Sequence, residues 1–252
     1  MITSLDGFHA VVTGAGSGIG RATALALAAE GATVAAIDCD GGRAAETVAA
    51  VEEAGGKGYA HEADVSDRRQ VEAAFAALPF PEITALVNNA GIREITKFAD
   101  LVPDDWDHVL AVNLSGAFYC IKAAYPFLRR PGASIVNVSS VAGLIGVPGR
   151  VAYSAAKHGL IGLTRGLADD LGAEGVRVNA VCPGVTETPL TQAYFGNESL
   201  VADLRRATPL RRWGTPEEIA ALIVFLVSDA AAFCTGGVFA ADGGYTASKG
   251  FG

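Results

Sequence analysis

The sequence predicts an α/β fold: a doubly wound parallel sheet of about seven strands with helices on both faces. Short β-branched runs alternate with alanine-rich segments of helical length along the chain, and parallel neighbours need such long crossovers. The strand runs lack in-and-out alternation, as expected where helices cover both faces of a sheet. Of the 252 residues, 50% are hydrophobic and 18% are charged, which suits a chain that buries a substantial core.

The first strand is "HAVVTG", followed by the helix "RATALALAAEG" and the second strand "TVAAID". A helix from about Gly42 to Ala54, the strand "GYAHEADV" and a helix near Asp67 to Ala77 continue the alternation. Next come "ITALVNNAG", a long helix from about Pro103 to Leu128, and "ASIVNVSS". The closing elements are a helix from about Ala152 to Leu171, "VRVNAVCPG", a helix from Pro216 to Ser228 and "GGVFAADGG". No linker or repeat interrupts the order, so residues 1–252 read as one domain. The exception runs from Glu187 to Arg212, where strand and helix signals fade; a segment outside the alternation is commonly a lid or substrate loop. The tail "ADGGYTASKGFG" carries Tyr245 and Phe251, which suit either an interface or a disordered end.

The formal net charge is -8 and the 19 Lys and Arg residues are scattered, which argues against a nucleic-acid surface. The longest apolar stretch, "IAALIVFLVSDAAAF", contains Asp229 and falls short of the roughly 20 residues that a membrane span needs. The opening "MITSLDGFHAVVTG" does not look like a secretory signal. Cys39, Cys120, Cys182 and Cys234 match no zinc spacing. They read as reduced thiols of a cytoplasmic protein without a metal.

"TGAGSGIG", Thr13 to Gly20, follows the first strand and opens the first helix. Gly14 allows a tight turn, Gly16 and Gly18 remove side chains where a pyrophosphate must approach, and Gly20 lets helix and strand pack closely. The helix start, from Ser17 through Ile19, then offers free N–H groups to phosphates. Asp38 ends the second strand, 18 residues after Gly20, where a carboxylate accepts hydrogen bonds from both adenosine ribose hydroxyls. A 2′-phosphate would meet a like charge there, and neither Ser17 nor Cys39 compensates it, so NAD is expected over NADP. Asp38 would otherwise be a cap for the next helix. Asp64 and Val65 end the third strand, where they could meet the adenine amino group and ring face; Asp64 could equally cap a helix.

These motifs, with "NNAG" at 88–91, Asn113, "SS" at 139–140, "YSAAK" at 153–157, "CPGVTET" at 182–188 and the closing "DGG", resemble the short-chain dehydrogenase/reductase family in order and spacing. The resemblance implies a Rossmann-type sheet of order 3-2-1-4-5-6-7 and hydride transfer between a nicotinamide and an alcohol or carbonyl carbon. It implies a tetrad of Asn113, Ser140, Tyr153 and Lys157; the family's spacing between serine and tyrosine selects Ser140 over Ser139. By the same resemblance Asn89, Ala90 and Gly91 line the cofactor, with Pro183 and Gly184. Thr186 to Thr188 approach the nicotinamide carboxamide, and a homotetramer is implied.

Alcohol oxidation needs a base near neutral pH, whereas a free tyrosine has a pKa of about 10. Lys157 lies one helical turn after Tyr153 and would favour the phenolate while also holding ribose hydroxyls. Ser140, at the carboxyl end of the fifth strand, could bond the reacting substrate oxygen. Asn113 is a mediocre helix former; it could bind a water that links Lys157 to solvent, or distort its helix through a backbone contact. Ser154, Ala155 and Ala156 let the helix pack tightly.

Arg93 and Arg150 could face the substrate end of the cleft, where they would favour an anionic substrate, although surface or structural roles are the plainer expectation. Arg205, Arg206, Arg211 and Arg212 are less decisive, and His108 and His158 read as helix-surface residues. Reduction of a 3-oxoacyl thioester is a rival activity; in the family it usually goes with NADP, so Asp38 counts against it. A non-catalytic NAD-binding protein is the rival from another class.

Overall fold

A computed structural model describes residues 4–194 and 196–247; Phe251 lies outside the described residues. The strands are β1 (His9–Thr13), β2 (Thr33–Asp38), β3 (Lys57–Glu62), β4 (Ala85–Asn88), β5 (Ser134–Val138), β6 (Arg177–Pro183) and β7 (Val238–Ala241). They form one sheet in the order β3-β2-β1-β4-β5-β6-β7, which the family resemblance implies. Every pair is parallel, with Thr13 opposite Ile37 and Asn88 opposite Asn137. The helices are α1 (Gly18–Ala29), α2 (Gly41–Glu53), α3 (Arg68–Ala76), α4 (Pro103–Leu110), α5 (Gly116–Ala124), α6 (Val151–Gly172), α7 (Glu198–Ala207) and α8 (Pro216–Val227).

Within β1, Val11 joins a core with Val71, Phe75, Ile121 and Leu171 on one face of the sheet. Ala10 and Val12 point the other way, into a core with Leu27, Ile219 and Ile223. Strand side chains alternate between faces, and helices cover both, so Ala10, Val11 and Val12 in the middle of β1 are all apolar. A buried chain of polar bonds then fixes α6 to the sheet: Asn88 donates to Asn137 at 2.8 Å, and Asn137 donates to Thr164 at 2.9 Å.

Two expectations are corrected. The long helix from Pro103 is not uniform: a π turn at Ala111–Ser115 separates α4 from α5, and a 3-10 turn follows at Tyr125–Phe127. Asn113 Nδ2 donates to Val109 O at 2.9 Å and to Ile92 O at 2.8 Å, taking up a carbonyl that regular helical bonding would use. The segment after β6 is not irregular either. It forms a 3-10 helix at Pro189–Tyr194 and then α7, capped by Asn197 through Leu200 N–H. Glu198 in the first turn and Arg205 and Arg206 in the last complement the helix dipole. No residue of α7 is buried.

Candidate active site

Most of the predicted positions line the cleft at the carboxyl ends of the strands, where open parallel sheets bind ligands. Two cavities meet there, one of about 460 Å³ over β1–β4 and one of about 190 Å³ over β5 and β6. Both are lined by Ile19, Asn89, Gly91, Thr188 and Leu190, so they form one continuous cleft.

The larger cavity is bounded by the glycine-rich turn. Gly14 has φ 62°, and a Cβ there would lie 2.7 Å from Ala90 Cα. A Cβ on Gly16 would meet Arg43 Cβ at 2.6 Å, and one on Gly18 would meet Thr188 Cγ2 at 3.1 Å. Gly20 is buried in the first turn of α1. Asn89 locks the turn by donating to Thr13 O and Gly14 O, each at 3.0 Å. Ser17 caps α1 without a side-chain bond, which leaves the helix N–H groups to a ligand. A bare backbone cradle at a helix start fits the pyrophosphate of a dinucleotide.

Asp38 lines this cavity and also braces it: Oδ2 accepts Gly16 N–H at 2.8 Å and Oδ1 accepts Asp40 N–H at 3.0 Å. The cap of α2 is Asp40. Asp64 accepts both the N–H and hydroxyl of Ser66, at 2.8 and 2.7 Å, while Asp67 caps α3. Val65, 6% exposed, presents the apolar wall beside Asp64. Arg43 escaped the sequence reasoning; it stands near Gly16, and its Nε lies 3.2 Å from Asp40 Oδ2. Its place one turn into α2 was the available signal.

The smaller cavity brings together Ser140, Tyr153 and Lys157. Ser139 and Ser140 both line it; the buried Ser139 hydroxyl donates to Lys157 O at 2.9 Å, whereas Ser140 Oγ accepts Ala142 N–H at 3.1 Å. Lys157 is buried; its Nζ donates to Val138 O at 2.9 Å and lies 5.5 Å from the Tyr153 ring centroid. Burial lowers its pKa to about 8. Asn113 Oδ1 is buried with no hydrogen-bond partner among the described residues. A Cβ on Gly91 would be 2.7 Å from that oxygen and 3.5 Å from Lys157 Nζ. Gly91 therefore keeps open a space that an acceptor and an ammonium share, and a buried unpaired acceptor favours a water there.

Burial pushes the Tyr153 phenol up in pKa, opposed by the Ser140 hydroxyl and then by Arg93 and Arg150. Lys157, the cation that the spacing pointed to, is thus joined near the phenol by Arg93 and Arg150. Arg150 is only 6% exposed, Arg93 is half-buried, and both line the cavity. Arg93 Nη1 and Arg150 Nη2 donate to the same Tyr194 hydroxyl at 2.7 and 2.9 Å. Arg93 Cζ also sits 4.4 Å from the Tyr194 ring centroid. Burial, and then Arg150, lower the Arg93 pKa against an opposing pull from Tyr194.

Pro183, Gly184 and Thr186 complete the wall beyond β6. Glu94 and Tyr194 were missed. Glu94, 8% exposed, accepts Tyr153 N–H with both carboxylate oxygens at 3.1 Å, at the start of α6. It follows the "NNAG" motif in an unpatterned loop, so no sequence signal marked it. Tyr245 lines the same cavity, a place that neither expectation for the tail gave it. Arg212 pairs with Glu218 outside the cleft, and His158 is exposed on α6. Among the described residues no helix is long and apolar enough to cross a membrane.

Residues 14–246 match a family model described as enoyl-(acyl carrier protein) reductase. A 2-(S)-hydroxypropyl-CoM dehydrogenase of Xanthobacter autotrophicus is 45% identical over 243 residues, covering 94% of this chain and 95% of that one. A 3-oxoacyl-acyl-carrier-protein reductase of Thermotoga maritima is 41% identical, covering 95% and 98% of the two chains. The structure of a gluconate 5-dehydrogenase from Burkholderia cenocepacia, in complex with NADP and tartrate, matches with a TM-score of 0.93 at 33% identity over 98% of each chain. With the seven-stranded sheet, the glycine turn and the Ser140–Tyr153–Lys157 cavity already in view, these likenesses make the chain a member of the short-chain dehydrogenase/reductase family.

Proposed function

We propose that this oxidoreductase moves a hydride between NAD and a secondary alcohol or ketone, with Asn113, Ser140, Tyr153 and Lys157 as its catalytic tetrad. The observation that carries the proposal is the meeting of Ser140, Tyr153 and Lys157 in one cavity that continues into the glycine-rich turn. When bound, the nicotinamide supplies the hydride acceptor or donor. Ser140 Oγ holds the substrate oxygen, and the Tyr153 hydroxyl takes its proton in oxidation or returns it in reduction. Lys157 grips ribose hydroxyls and, through the space beside Gly91 and Asn113 Oδ1, passes a proton onward. Glu94 fixes the backbone that carries Tyr153. Tyr153→Phe should lower turnover by about 10²- to 10⁴-fold, the usual worth of a positioned acid or base. Reduced-dinucleotide fluorescence should still report binding; unchanged turnover would refute the role.

NAD is the proposed cofactor although the gluconate 5-dehydrogenase was solved with NADP. At the edge of the larger cavity Asp38 stands with Asp40, and Arg43 is paired with Asp40, so the local balance opposes a 2′-phosphate. The ratio of kcat/KM for NAD and NADP tests this directly. The likeness to 3-oxoacyl reductases favours reduction of a 3-oxoacyl thioester as a second reading, which the acidic edge at Asp38 opposes. A homotetramer in the cytoplasm completes the proposal; Phe118 of α5, 46% exposed, is an apolar contact for a second copy, and light scattering gives the assembly size.

A further inference from the structure

The smaller cavity is lined by Arg93, Arg150 and Lys157 and by no carboxylate, in a chain whose formal net charge is -8. Among the described residues neither arginine belongs to an ion pair. Holding a guanidinium out of water without a counter-charge is costly, and here two are drawn together on one phenol oxygen. Among the described residues Arg150 otherwise bonds Gly149 O alone, and Arg93 bonds Tyr194 alone, so donors of both forks stay uncommitted there. The carboxylate closest in sequence, Glu94, is held by Tyr153 N–H. Two arginine forks are suited to a carboxylate or sulfonate.

We infer that the substrate carries an anionic group, gripped by Arg93 and Arg150 while its hydroxyl or ketone faces Ser140 and Tyr153. This rests on the oxidoreductase reading above and names the substrate class for it. Arg150 is the N-cap of α6, three residues before Tyr153, about 4.5 Å along a helix axis, so the acid group and the reacting carbon are close neighbours in a short molecule. Val141, Val147, Leu190 and Leu204 line the rest and receive its aliphatic part. The Tyr194 hydroxyl marks the point on which both guanidinium groups converge.

The test uses calorimetric titration of the protein loaded with NADH or NADPH, whichever binds more tightly. Butanoate and propane-1-sulfonate are the anionic probes and 1-butanol is the neutral control. Both anions should bind the wild type, and Arg93→Gln and Arg150→Gln should each weaken them by about 10- to 100-fold, the worth of a charge-assisted hydrogen bond. The affinity of the reduced dinucleotide should stay within about twofold. Arg150→Lys keeps the charge and should retain part of the binding, which separates lost charge from lost folding. Failure of both anions to bind the wild type, or equal binding in the glutamine variants, overturns the inference. Turnover of neutral alcohols with no anion binding would sink the anionic site and leave the oxidoreductase proposal standing. Anion binding with no turnover of 3-hydroxybutanoate, 2-hydroxypropane-1-sulfonate or 2-butanol would do the reverse.

Discussion

The two halves of the cleft carry opposite charge. Asp38 and Asp64 line the larger cavity, which has no lysine or arginine, whereas Arg93, Arg150 and Lys157 line the smaller one, which has no aspartate or glutamate. Carboxylates suit the hydroxyls and amino group of an adenosine, and cations suit a reacting oxygen and an acid group. The halves also differ in material. Backbone turns and absent side chains make the first, which ties it to the strand-to-helix connection. Long side chains from three separate segments converge to make the second.

The contrast can be broken most severely at Gly14. Gly14→Val should weaken dinucleotide binding by about tenfold or more, because a β-branched residue at φ 62° would also press on Ala90; fluorescence titration measures it, with melting curves to confirm folding. Next, Asp38→Ala should move the NAD to NADP ratio of kcat/KM toward NADP by about tenfold, the scale of one charge-assisted bond. An unchanged ratio would mean that the acidic edge does not select the cofactor.

A subtler effect lies in the pH profile of the other half. In the proposed mechanism oxidation needs the Tyr153 phenolate, and Arg93 pulls that phenol's pKa down. Arg93→Gln should therefore raise the pKa and shift the rising limb of the oxidation profile to higher pH, measured with a neutral secondary alcohol. The smallest effect is far from the cleft, at the start of α8. Arg212 and Thr215 hold the Glu218 carboxyl down to about 2 from its ordinary 4.5. Because the folded-state pKa is the lower one, this contribution is complete above about 4.5 and fades as pH falls toward 2. Glu218→Gln should flatten that part of the dependence of Tm on pH.

Much of the fold could be read from the chain because strands and helices differ in period and composition. The nucleotide half was legible because glycines and a strand-end aspartate act through local backbone geometry. Asn113 was legible as a residue of interest, but the π turn it creates depends on Ile92 O from a different segment. Glu94, Tyr194 and Arg43 were not found, since each acquires meaning only where tertiary folding brings it to Tyr153, to the two arginines or to Gly16. α7 was not read either; its start is set by the Asn197 cap, and charge complements its dipole at both ends.

The central claim, direct transfer of a hydride between a dinucleotide and a carbon whose oxygen Tyr153 deprotonates, is tested most directly with a secondary alcohol deuterated at that carbon. After turnover with NAD, mass spectrometry should find the deuterium on the nicotinamide ring with none in water, and Tyr153→Phe should leave the label in the alcohol over the same interval. Deuterium released to solvent, or transfer that proceeds unchanged in Tyr153→Phe, would contradict the account.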